Sequence, residues 1–149
     1  MTDYGAMTAR LRALTEGVAH RIANLANASA LLFEQLERIN WAGVYLLEGD
    51  RLVLGPFQGR VACIEIPLGR GVCGTAAADR RTVVVPDVHA FPGHIACDAA
   101  SRSEIVVPLV ADGTLLGVLD VDSPEPSRFT DDDARGLEAF AAVLARAIQ

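Results

Sequence analysis

EIVVPLVADGTLLGVLDVDSP, Glu104 to Pro124, holds two apolar runs on either side of Ala111-Asp112-Gly113. Runs rich in valine, isoleucine and leucine, joined by an Asp-Gly turn and stopped by proline, read as an antiparallel β-hairpin. Glu104 begins one strand, while Asp120 and Asp122 finish its neighbour. Side chains alternate with period two, so the two aspartates share a face. Antiparallel pairing then brings all three carboxylates to one edge. One charge at the end of a strand often marks only its exit to water; three converging acids point to a site.

Working backwards, Val88 to Arg102 reads as a loop of about 15 residues, long enough to suggest function. Its end, GHIACDAASRSEIVVP (Gly93 to Pro108), sets Cys97 among His94, Asp98, Ser101, Arg102 and Ser103. Strands do not need that polar assortment, and Cys97 reads as a reactive thiol. His94, Asp98 and Arg102 are supporting candidates that order the loop or tune the thiolate. Further upstream, Cys63 is placed in a short strand, Val61 to Ile66, where a buried inert thiol is the plainer alternative. Gly69, Gly71 and Gly74 lead into a helical turn with Cys73 near its start, where the helix dipole favours thiolate. No lysine follows these glycines, so they make a poor phosphate loop. Thr82 to Val85 is a β-branched strand stopped by Pro86.

INWAGVYLLEGDRLVLGPF, Ile39 to Phe57, is a second hairpin turning at Glu48-Gly49-Asp50. Trp41, Gly43 and Tyr45 fall on one face of its first strand. The glycine is expected either to leave a gap with aromatic walls, suited to a thioether-like group or an ammonium ion, or to mark a bulge in a core strand. Ala6 to about Arg38 reads as helix in two pieces around Gly17, with Leu11, Leu14, Val18, Ile22 and Leu25 as its apolar stripe. At the other end, Thr130 caps a helix opened by Asp131, Asp132 and Asp133, with Leu137, Phe140, Ala141, Leu144 and Ile148 inward. Those aspartates read as capping, not as a metal cluster.

The chain has 149 residues, 51% of them hydrophobic, and a net charge of −6. That suits one domain with a substantial core. No basic stripe invites nucleic acid or an anionic membrane, and no run approaches the ~18 apolar residues of a membrane helix. A cytoplasmic location is expected. Three cysteines make no disulfide framework, and the lack of a C-x-x-C pair argues against metal.

INWAGVYL, GPFQGRVAC, GRGVCGTA, GHIACDAASRSEIVVP and GVLDVDSP together resemble the free methionine-(R)-sulfoxide reductase family, single GAF domains. The likeness runs from about Ala26 to the C-terminus. It implies an α+β fold over residues 1–149. A six-stranded antiparallel sheet would lie between the N- and C-terminal helices and a layer of loops and short helix. Residues 1–38 would pack on the sheet or a dimer interface, often in a homodimer. It places the nucleophile on Cys97 and resolving thiols on Cys63 and Cys73. Substrate binding falls on Trp41, Tyr45, Glu104, Asp120 and Asp122. The implied reaction reduces free methionine-(R)-sulfoxide with no bound cofactor, and thioredoxin or another dithiol recycles the thiols. A non-catalytic GAF module that binds a small ligand, or senses redox state, is the competing expectation.

Overall fold

The computed structural model describes residues 1–94 and 99–149; Cys97 and Asp98 lie outside the described residues. Helix α1, Tyr4–Thr15, opens at Asp3, whose carboxylate accepts from the Ala6 N–H. It stops before Gly17, which takes a φ of +70° that glycine adopts without steric cost. Helix α2, Arg21–Gln35, follows and buries Leu25, Ala28, Leu31 and Leu32. The break at Gly17 resets the helical phase. Leu11 and Leu25 therefore face inward, whereas Leu14, Val18 and Ile22, expected on the same stripe, are exposed.

Strands β1, Trp41–Glu48, and β2, Arg51–Gly59, form the first hairpin. The short β3, Glu65–Pro67, adds to β2, and helix α3, Gly71–Asp79, leads on to β4, Val83–Val85. A 3-10 turn at Val88–Ala90 opens the long connection to β5, Ser103–Ala111. Strand β6, Thr114–Ser123, and helix α4, Asp131–Ala147, complete the chain. The described strands make one antiparallel sheet in the order β3-β2-β1-β6-β5-β4. The hairpin Glu104 to Pro124 supplies two of its inner strands.

Period-two alternation divides the buried side chains between the two faces. Ala42, Val44, Ile105, Val107, Leu119 and Val121 pack under α1, α2 and α4. Tyr45, Val106 and Val118 face the other way, with Val72, Cys73, Ala76 and Ala77 of α3. The α4 start follows its sequence. Thr130 Oγ1 accepts from the Asp133 N–H, and the Asp133 carboxylate accepts from the Thr130 N–H, a reciprocal capping box. Asp133 does more than cap: it also accepts from Tyr4 Oη at 2.6 Å and from buried Arg128 at 3.1 Å.

The gap expected at Gly43 is filled. A Cβ there would lie 2.3 Å from Phe57 Cβ and 2.8 Å from Phe57 Cα, so β2 runs against a bare backbone. Phe57 then stacks on Trp41 with centroids 5.2 Å apart, and the register shifts between Gly43 and Tyr45. The bulged core strand is what forms.

Candidate active site

Antiparallel pairing places Glu104 directly opposite Asp122, while Asp120 pairs with Val106, one turn of the pleat further along. All three acids line one cavity on the α3 side of the sheet. Trp41, Tyr45, Cys73, His94 and Ser101 line it too. The aromatic residues are fixed at their polar ends. Trp41 Nε1 donates to the Arg60 carbonyl at 3.1 Å, and Tyr45 Oη donates to the Cys63 carbonyl at 2.9 Å. Ser101 accepts from Asn40 Nδ2 at 3.1 Å.

Glu104 and Asp120 are buried, and neither makes an ion pair among the described residues. Burial, then the charge of Asp120, pushes the Glu104 carboxyl well above its usual range. Burial, then the charge of Asp122, does the same to Asp120. The Asp120 Oδ1 atom is buried without a hydrogen-bond partner among the described residues. Taking a carboxylate out of water without a counter-charge favours its neutral form. The cavity therefore has protons to give and room for a cation.

Cys73 behaves unlike the thiolate expected from its place near the start of α3. It is free and buried, with Sγ 3.9 Å from Glu104 Oε2. Burial, followed by the charges of Asp120 and Glu104, raises its pKa well above the ordinary value. A helix dipole is worth about 0.3–1 kcal/mol, whereas full burial can move the pKa of such a group by about 3–5, so burial wins. Cys73, Glu104 and Asp120 bring possible ligand atoms within 4.8 Å of one another, the one group of metal-ligand type among the described residues.

Cys63 lies before β3, not within a strand, because β3 covers only Glu65–Pro67. It is half-buried and disulfide-bonded, so it is not the inert buried thiol. His94 reaches the cavity wall; burial and then neighbouring His89 lower its pKa, favouring neutral imidazole. Arg102 is exposed, and its backbone ties the long connection to the sheet through Ser123 and Val88. Ser103 donates to the Glu125 carbonyl and serves that corner of the fold, not the cavity.

A GAF domain model, described as GAF_2, matches residues 22–149. Free methionine-R-sulfoxide reductase of Escherichia coli (strain K12) is 55% identical over 145 residues, covering 97% of this chain and 88% of that protein. The reduced form of fRMsr from Staphylococcus aureus superposes with a TM-score of 0.96 at 52% identity, covering 100% of this chain and 97% of the other. A complex of the same enzyme with its substrate gives 0.94 at 51%, with the same coverage. This chain belongs to the free methionine-R-sulfoxide reductase family. Its GAF fold is the α+β sandwich expected from the sequence, with helices on one face of the sheet and α3 with the loops on the other.

In this reductase-family site the sequence reading missed Arg70, Val72 and Ile66 as cavity walls. Arg70 had a signal, as a cation between two glycines at the entry to α3. Val72 and Ile66 had none, since apolar residues look alike whether they wall a cavity or fill a core. No helix among the described residues is long and apolar enough to cross a membrane.

Proposed function

We propose that the chain reduces free methionine-(R)-sulfoxide to methionine through thiol chemistry, without a bound cofactor. The observation that supports it most is the acid cluster of buried Glu104 and Asp120 with half-buried Asp122 beneath an aromatic wall. A substrate ammonium supplies the missing counter-charge and draws one or more of these acids into the ionised form. An acid that keeps its proton hydrogen-bonds the sulfoxide oxygen, which makes the sulfur electrophilic. In this reading Arg70, at the cavity wall, meets the substrate carboxylate, and Trp41 and Tyr45 hold the side chain.

Cys97 attacks the sulfur, the S–O oxygen passes to Cys97 as a sulfenic acid, and methionine leaves. Cys63 then condenses with the sulfenic acid, releasing water and forming a disulfide. Cys63 is preferred to Cys73 as the resolving thiol because Cys63 is already disulfide-bonded, whereas Cys73 is buried, free and held protonated beside Glu104. Thioredoxin or a similar dithiol returns the disulfide to thiols. Homodimer formation through apolar side chains exposed on the N-terminal helices, and a cytoplasmic setting, belong to the same proposal.

The test is turnover of free methionine-(R)-sulfoxide with dithiothreitol, read as methionine formed. Activity lost in Cys97→Ser and retained, if slower, in Cys73→Ser is the expected result. An amide in place of the ammonium leaves buried acids unpaired. N-acetyl-methionine sulfoxide should therefore be reduced far more slowly, and equal rates would overturn the cluster's role.

A further inference from the structure

We propose that a protein dithiol docks on the Val61–Ile64 segment and attacks the Cys63 sulfur, so that electrons enter through Cys63 and not across the substrate cavity. The inference rests on Cys97 and Cys63 acting as nucleophile and resolving thiol. After Met1, Val61 at 86% and Ile64 at 71% are the most exposed large apolar side chains among the described residues. They bracket Cys63. Single exposed apolar residues are ordinary on a protein surface, but two around a redox sulfur form a patch with a stated use.

The segment is also held in place. The Leu54 N–H donates to the Ile64 carbonyl at 2.9 Å, and Tyr45 Oη donates to the Cys63 carbonyl at 2.9 Å. Trp41 Nε1 fixes the Arg60 carbonyl just before it. Held backbone with water-exposed apolar side chains is ready to bind without an ordering cost. One side of the segment walls the cavity through Val61 and Ala62, and its other side meets solvent at Ile64. Exposed Arg60 beside it adds positive charge to a chain whose net charge is −6. The partner that fits is a dithiol protein with an apolar contact surface and acidic groups at its rim.

The exchange balances. A donor thiolate bonds to Cys63 Sγ as the Cys63–Cys97 bond breaks, and Cys97 leaves as the thiolate needed for the next turnover. The donor's second thiol then attacks its own first sulfur, releasing Cys63 as a thiolate that takes up a proton. Two electrons pass to the enzyme and the donor ends as a disulfide.

Ile64 touches solvent and does not line the cavity, so Ile64→Asp tests docking alone. With thioredoxin as donor, its KM should rise on the order of tenfold or more, with dithiothreitol-driven turnover unchanged and Ile64→Leu close to wild type. An equal loss with both donors, or no loss with thioredoxin, would overturn the docking surface. A thioredoxin variant lacking its second cysteine should be trapped on Cys63 of the oxidised protein, read by peptide mass; trapping on Cys97 would overturn the entry route. Absence of dithiothreitol-driven turnover in the unaltered chain would strike the reductase reading instead, and the trapping result would still decide where a dithiol attacks.

Discussion

Buried acids at two places in this molecule have opposite electrostatics. At the start of α4, Asp133 accepts from Tyr4, from both Thr130 donors and from Arg128. Burial opposes its ionisation, yet those four donors from three residues outweigh burial and hold its pKa below the usual value. On the other face, Glu104 and Asp120 are buried against like charges, and their pKa values rise. The chain can satisfy a buried carboxylate completely where it needs one for structure. Where it leaves carboxyls without a counter-charge, the stability given up is recovered only when a ligand arrives.

That contrast breaks or sharpens under substitution. Asp133→Ala should cost about 3–5 kcal/mol, because buried Arg128 is left unpaired and the helix cap is lost. Denaturant unfolding would show this, with little change in the KM for substrate. Asp120→Asn should do the reverse. Folding stability at neutral pH should hold or rise, while kcat/KM falls by about 3 kcal/mol, on the order of a hundredfold, through loss of the ammonium partner. If Asp120→Asn destabilises the protein as Asp133→Ala should and spares turnover, the two sites have been assigned the wrong way round. Tyr4→Phe removes one hydrogen bond to a charged acceptor and should cost about 1.5–3 kcal/mol in the same unfolding measurement, with no effect on activity.

The smallest effect is in the pH dependence, and its two halves have opposite signs. Asp133 is lowered, so its contribution is present above its unfolded value near 3.8 and is lost as pH falls through the folded value. Glu104 and Asp120 are raised from 4.5 and 3.8, so theirs is present below those values and is lost as pH rises through the folded ones. A tenfold difference in proton affinity between the folded and unfolded chain is worth about 1.4 kcal/mol. Asp120→Asn should therefore flatten the decline of stability above about pH 4, and Asp133→Asn the decline below it. Unfolding midpoints across pH would show whether the slopes separate in this way.

Much of the architecture was legible because it is local. The hairpin turn at Asp112-Gly113 is a local signal that pairs Ala111 with Thr114, and a one-residue shift between Leu109 and Val110 then brings Glu104 opposite Asp122 instead of Val121. Thr130 and Asp133 announce α4 for the same reason, since a capping box is a short-range pattern. What escaped the sequence depends on contacts distant along the chain. Phe57 fills the space beside Gly43 because of a bulge, which alternation does not reveal. Burial in the core, and then the acids from β5 and β6 that close over it, push the Cys73 thiol up, while its own neighbours in sequence suggest the opposite. The apolar stripe across α1 and α2 failed at Gly17, where a period cannot survive a change of helix axis.

The rung shared by Glu104 and Asp122 has one further consequence. Both side chains grow from inner strands that are hydrogen-bonded on both sides, β5 to β4 and β6, and β6 to β5 and β1. Buried Glu104 cannot turn away to water unless the middle of the sheet parts, whereas Asp122 beside it is half-buried. The repulsion that Glu104 feels comes from buried Asp120 on the neighbouring strand, and uptake of a proton or a cation relieves it. Loading the cavity with the ammonium group of an amino acid should then expel protons into the buffer, which couples ligand occupancy to proton release.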